Sequence, residues 1–183
     1  MKKSKKKFVV LVFVFIFSVS FIWADIDDFP SALGFFSGSV VAQNYFGGLH
    51  YQHWFSDFGI QSEAGIMYSP AEKNLDYSVV FDILYSVYSY DYSDRVGGRL
   101  YVYGTLGHLG ATTNYSVDYD NPVATAFRPS LLVGLGIGIE IVFFQHFSFP
   151  IHFGYAADIP LNTTVYDELL IGLTICGGVR YRF

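Results

Sequence analysis

The chain has one cysteine, Cys176. No internal disulfide can form, and a zinc site built from several thiolates is excluded. Cationic charge is nearly as scarce: beyond residue 7 the only lysine is Lys73, and the arginines are Arg95, Arg99, Arg128, Arg180 and Arg182. An acidic chain with so few cations offers nothing to nucleic acid or to an anionic membrane surface. No phosphate-binding loop, nucleotide fingerprint or metal-binding cluster stands in the sequence, so no cofactor and no metal is expected. Helical periodicity, solenoid repeats and a second domain are missing as well. What remains is a chain rich in hydrophobic residues, 52% of the whole, with aromatics alone making up 20%, arranged mostly by alternation.

The amino terminus stands apart. Met1-Lys-Lys-Ser-Lys-Lys-Lys7 is basic, and Phe8 to Phe17 is an unbroken apolar run. This reads as a secretory signal peptide over 1–24, leaving a single domain over 25–183. A cut after Ala24 places bulky Ile22 where a small residue is preferred; a cut after Ser20 fits the small-x-small rule better. An uncleaved anchor is the alternative, but the run is short of the roughly 20 residues a spanning helix needs. No cysteine lies near either cut, which argues against a lipoprotein. After residue 24, six basic residues face sixteen acidic ones, a formal charge of −10. Only 22 of those 159 residues are charged, where a soluble surface carries roughly 25–35%. Water is not the expected solvent over most of this surface.

The last fifteen residues, Leu169 to Phe183, carry the clearest pattern. Leu169, Ile171, Leu173, Ile175, Gly177, Val179, Tyr181 and Phe183 form one set; Leu170, Gly172, Thr174, Cys176, Gly178, Arg180 and Arg182 form the other. A period of two is a strand with unlike faces. The first face is uncharged, and the second is small and then cationic. Cys176 falls among the small residues, where packing is its expected role. Seven earlier strands are predicted: Leu33 to Val41, Phe46 to Phe55, Phe58 to Tyr68, Leu75 to Tyr90, Arg99 to Thr112, Phe127 to Phe143, and one from Phe147 to about Ala156. Ser56-Asp57 and Phe144 to Phe147 are tight turns, and Asp91 to Gly98 is a longer one. Ser69 to Asn74, Thr113 to Ala126 and Asp158 to Glu168 are loops. Strand four is assigned Leu75, Tyr77, Val79, Phe81, Ile83, Tyr85 and Val87 outward, with Asp76, Ser78, Val80, Asp82, Leu84, Ser86 and Tyr88 inward.

This pattern resembles the small eight-stranded outer-membrane β-barrels, a porin-like family. The resemblance covers about Gly34 to Phe183 and rests on the terminal strand, the strand count and the alternation of short and long connections. A soluble barrel would carry lysines and glutamates on its outer face; here the bulky face of strands four, six, seven and eight has none. The fold implied is an all-β, transmembrane, antiparallel up-and-down β-barrel of eight strands. The resemblance also implies a place in the cell outer membrane, contact with outer-membrane lipid, a monomer, and recognition by the barrel assembly machinery through Val179, Tyr181 and Phe183. Aromatics at strand ends resemble an interfacial girdle: Trp54, Phe55 and Phe58; Phe143 and Phe147; Tyr181 and Phe183.

Inward parity collects Glu63, Asp82, Arg99, Arg128, Glu140, His152, Arg180 and Arg182. Five of them, Glu63, Asp82, Glu140, His152 and Arg180, are the expected polar network of the lumen. A tight hairpin centred on His146 sets His152 opposite Glu140. Such charges read either as a gate or proton path, or as ion pairs that plug the lumen; the plug is favoured because buried charges persist when paired. His146-Phe-Ser148 resembles the His-x-Ser element of outer-membrane lipid A deacylases, but no acid partner is identifiable. Asp118, Asp120 and Asn121 offer oxygens to a cation, though a solvated acidic loop explains them. The expected function is therefore a structural or surface-interaction role without catalysis. A narrow porin-like channel is the alternative, and a lipid A-modifying enzyme the third reading.

Overall fold

The computed structural model describes residues 28–41, 44–69, 74–115, 124–161 and 169–183. The signal segment, Asp118, Asp120 and Asn121 lie outside them. Eight strands follow in order: β1 (Ser31–Val40), β2 (Asn44–Phe55), β3 (Phe58–Ser69), β4 (Asn74–Ser93), β5 (Val96–Tyr115), β6 (Ala124–Phe143), β7 (Phe147–Pro160) and β8 (Leu170–Arg182). Each pairs antiparallel with its sequence neighbour, and β1 pairs with β8, so the sheet closes. The seam is stitched at its end by Ser31 and Phe183. The Phe183 N–H donates to the Ser31 carbonyl at 2.8 Å, and the Ser31 N–H donates back to the Phe183 carbonyl at 3.3 Å.

The alternation in the sequence becomes an inverted molecule. Leu135, Ile137, Ile139 and Ile141 of β6 face outward with Phe149, Ile151 and Phe153 of β7 and Ile171, Leu173 and Ile175 of β8; all are exposed. Among the described residues, buried polar and charged side chains outnumber buried apolar ones. The lumen holds two apolar clusters. One is Val41, Val80, Leu109, Leu132 and Ala156, and the other Trp54, Leu84, Tyr101 and Tyr103.

Several elements run longer than their periodicity indicates. The turn expected over Asp91 to Gly98 is only Asp94-Arg95, because β4 continues to Ser93 and β5 begins at Val96. β7 continues to Pro160, so Asp158 is a strand residue rather than a loop residue. It is buried and bonded to Arg128 at 3.1 Å. Polar residues at strand ends read as loop in sequence, but ladder pairing to β6 holds them in register through Ser130↔Pro160.

Two side chains sit on the face opposite to expectation. Tyr88 is exposed rather than inward. The β4–β5 register shifts between Ser86 and Tyr88, so Val87 is an extra residue and Tyr88 pairs with outward Leu100. A bulge reverses the faces beyond it, and Tyr88, Tyr90 and Tyr92 form an outer ladder with ring centroids 6.3 and 5.2 Å apart. Trp54, expected in the girdle, is buried in the lumen. It shares the inward parity of His50 and Gln52, and its indole N–H donates to the Gln52 side-chain oxygen at 2.9 Å. Phe55, Phe58, Tyr181 and Phe183 are exposed.

The glycines of β6 make room for rings from its neighbours. Gly138 lies between Tyr101 of β5 and His152 of β7, and the two side chains meet over it. A Cβ at Gly138 falls 2.7 Å from the Tyr101 hydroxyl, and nearer still to the ring. Gly104, by contrast, has nothing within 4 Å of an added Cβ. Gly138→Ala is expected to destabilise the barrel by about 1–3 kcal/mol, the usual cost of overpacking, and Gly104→Ala to leave it unchanged. Urea unfolding of the refolded protein in detergent, followed by near-UV circular dichroism, checks the contrast.

Candidate functional site

The interior is organised by one chain of hydrogen bonds and a central buried arginine, Arg180, with Arg99 and Arg182 buried beside it. From Trp54 the chain passes through Gln52 to Gln61, whose Oε1 accepts from Gln52 Nε2 at 3.3 Å. Gln61 Nε2 then donates to Glu63 Oε1 at 2.7 Å and to Asp82 Oδ2 at 3.1 Å. Thr105 Oγ1 donates to the other Asp82 oxygen at 2.6 Å. The spacing explains the contacts: Gln61 pairs across the β3–β4 ladder with Asp82 and stands two residues from Glu63 on the same face. One amide thus holds two acidic side chains close together.

Arg180 is the cation, 1% exposed on β8. Its charge acts on Glu63 and Asp82 on one side and on Glu140 on the other. None of its three guanidinium nitrogens has a hydrogen-bond partner among the described residues, and neither does Glu140 Oε1. The attraction between Arg180 and Glu140 is therefore exerted through space, not through a hydrogen-bonded fork. Arg182 and Arg99 add to the field on Glu140. Arg99 pairs with Glu140 across the β5–β6 ladder and lays its guanidinium 4.1 Å above the Trp54 ring.

Glu63, Asp82, Glu140, His152 and Arg180 are all buried in the lumen. The expected register between two of them is corrected. β6 and β7 pair Glu140 with Pro150, and His152 lies opposite Gly138. The turn takes Phe144, Gln145 and His146, with positive φ at Phe144 and Gln145, which shifts the hairpin centre by one residue. His152 Nε2 instead meets the Tyr101 hydroxyl at 2.5 Å. Gln52, Gln61, Tyr101 and Thr105 were not singled out in the sequence, although the same period of two places each of them inward. His146 and Ser148 do not form a site. His146 stacks on outward Tyr181, with centroids 5.4 Å apart, and its Nδ1 lies 3.1 Å from the Arg182 carbonyl. Ser148 is buried on the lumen side.

A further cluster was invisible in sequence. Glu63 of β3, His152 of β7 and Cys176 of β8 bring a carboxylate oxygen, an imidazole nitrogen and the sulfur within 4.8 Å of one another. His152 and Cys176 are direct cross-strand partners, and Glu63 reaches them from the far wall. All three line a cavity of about 30 Å³ shared with Asp82, Tyr103, Thr105 and Thr174.

A closed antiparallel barrel of eight strands in sequence order, apolar outside and polar inside, defines the chain's class: it has the fold of the small outer-membrane β-barrels. A solved structure agrees on the fold. The N-terminal β-barrel domain of Pseudomonas aeruginosa OprF superposes with a TM-score of 0.60 at 15% identity, over 85% of this chain and 98% of that one. Neisserial surface protein A is more distant, with a TM-score of 0.43 at 15% identity over 84% and 95% of the two chains. Ail, the attachment invasion locus protein of Yersinia pestis, gives 0.42 at 14% identity over 84% and 97%. No protein-family model matches the chain, and no curated protein sequence does.

The arrangement around Arg180 predicts a coupled set of mutants. Glu140→Ala strands a buried cation and is expected to cost about 3–5 kcal/mol. Arg180→Ala is expected to cost more, because Glu63 and Asp82 lose the cation that acts on them and Glu140 loses the strongest of its three. The double mutant Glu140→Ala, Arg180→Ala should cost less than the two singles together. Urea unfolding of the four proteins in one detergent measures the cycle, and additive losses would show that the two charges do not interact.

Proposed function

We propose that this chain is a monomeric protein of the cell outer membrane with a structural or surface-interaction role and no catalysis. The observation that carries the reading is the occupied lumen. Two apolar clusters and a hydrogen-bonded polar network fill an interior that in eight-stranded barrels is only wide enough for side chains. Such a barrel supports the membrane and displays loops rather than passing solutes. The outer wall supports the location. Leu135 is 71% exposed and Ile171 69%, and an apolar band of this extent is solvated by lipid and not by water. Backbone groups facing lipid must all be paired, and a closed sheet pairs them.

The connections support an orientation. Ser56-Asp57, Asp94-Arg95 and the 144–146 turn lie at one rim, together with the Ser31–Phe183 seam. Short turns and chain ends belong to the periplasmic rim in this architecture. On this reading the 1–24 segment directs export, and Val179, Tyr181 and Phe183 present the terminal strand to the barrel assembly machinery.

Two measurements test the proposal. In planar bilayers the refolded protein is expected to show no large, stable single-channel steps; their appearance would favour the narrow-channel reading. Deleting Phe183 is expected to reduce the amount recovered folded in the outer-membrane fraction of cells several-fold. Refolding in detergent should fall only slightly, since the residue contributes only its two hydrogen bonds with Ser31 at the end of the seam. Equal losses in both settings would mean that Phe183 matters for packing alone.

A further inference from the structure

We propose that the lumen contains a site for a divalent transition metal, best matched to zinc, built by Glu63, His152 and Cys176. The donor set is the first ground. One carboxylate, one imidazole and one thiol, drawn from β3, β7 and β8, bring their ligand atoms within 4.8 Å of one another. Zinc bonds of about 2.0–2.3 Å in tetrahedral geometry put ligand atoms about 3.3–3.8 Å apart. The three side chains therefore need to close by no more than about an ångström and a half. Sulfur and imidazole select a borderline or soft cation over calcium or magnesium, which take oxygen.

The surroundings are the second ground, independent of the donors. The cavity of about 30 Å³ that the three share exceeds the roughly 10–15 Å³ one water requires. It has room for an ion and a fourth, exchangeable ligand. Thr174 Oγ1 lies buried with no partner, and Thr174 lines the same cavity. Asp82, fixed by Gln61 and Thr105, adds a second carboxylate at its edge. A dication there offsets both carboxylates, which otherwise share the single charge of Arg180 with Glu140.

The third ground is His152 itself. Its Nε2 is engaged by the Tyr101 hydroxyl, so a metal bound through Nδ1 would keep that bond. Metal-bound histidines characteristically hold their other ring nitrogen in such a bond, which fixes tautomer and ring orientation. Binding deprotonates the Cys176 thiol and releases its proton to solvent. It also joins β3 to β7 and β8 across the lumen, since three strands separate β3 from β7 either way round the barrel. The site does not rest on the envelope role; a conducting barrel could hold it equally well.

The test uses the full chain refolded in detergent after chelator treatment, with Zn²⁺ or Co²⁺ as probe. Metal is supplied during refolding in one arm and afterwards in the other, so that access to the lumen does not limit the result. One equivalent of Co²⁺ is expected, with intense visible bands of a four-coordinate ion and a near-ultraviolet thiolate-to-cobalt band. Zn²⁺ is expected to raise the unfolding midpoint. Cys176→Ser should abolish the near-ultraviolet band, and His152→Gln and Glu63→Gln should weaken uptake. Tyr101→Phe should keep the band and weaken affinity by about 10–100-fold, as loss of an outer-shell partner does. No stoichiometric uptake in either arm overturns the proposal. So does uptake that is unchanged in Cys176→Ser and His152→Gln, which would place the metal on the surface. If a variant fails to refold, the thiolate band of the wild-type protein decides alone, because Cys176 is the only thiol in the chain.

Discussion

Closure of the sheet between β1 and β8 is the constraint on which the rest of the molecule depends. An open edge would leave a row of backbone donors and acceptors unpaired, at several kcal/mol each in lipid. Closure needs the two strands in register from Ala32↔Arg182 to Ser39↔Ile175. Once that seam is made, inside and outside are defined for every residue of the wall. The apolar half of each strand faces out, and the polar half is enclosed in a space with little room for water. Gly34 and Gly38 of β1 lie on this seam opposite Arg180 and Cys176, where an added Cβ would fall 2.6 Å from a backbone Cα in each case.

Enclosure turns a modest number of charges into the dominant energetic feature. In water, Glu63 and Asp82 would be ordinary surface acids. In the lumen they must be held by Gln61 and Thr105 and balanced by Arg180. The guanidinium acts on acids at both its sides, which favours a central cation over a string of separate ion pairs. The same enclosure gives Cys176 a chemical setting that a cysteine on the lipid face would lack.

Packing and polarity cooperate at the glycines of β6. Tyr101 and Tyr103 lean over Gly138 and Gly136. Their rings fill the lumen, and the Tyr101 hydroxyl reaches His152. A larger residue at Gly138 would disturb the ring and the histidine together. The wall and the polar interior are therefore one packing problem.

Much of this was legible in the residues. A period of two over β6, β7 and β8 determined which side chains face out, because neighbouring side chains on a strand must point to opposite faces. The inward position of Glu63, Asp82, Glu140, His152 and Arg180 followed from that rule, while strand count also needed the turn signals and closure was implied by the resemblance to outer-membrane barrels. Failures came where the rule is interrupted or says nothing. The bulge at Val87 reversed Tyr88, and aromatic identity disguised Trp54 as a girdle residue. The β6–β7 hairpin centre differed by one residue, which moved His152 from Glu140 to Gly138. Parity gives direction but not height or distance across the lumen. Only the tertiary structure could bring Glu63 to His152 and Cys176, because they meet through the curvature of a closed wall. No spacing along the chain encodes a contact between residues 89 and 113 positions apart.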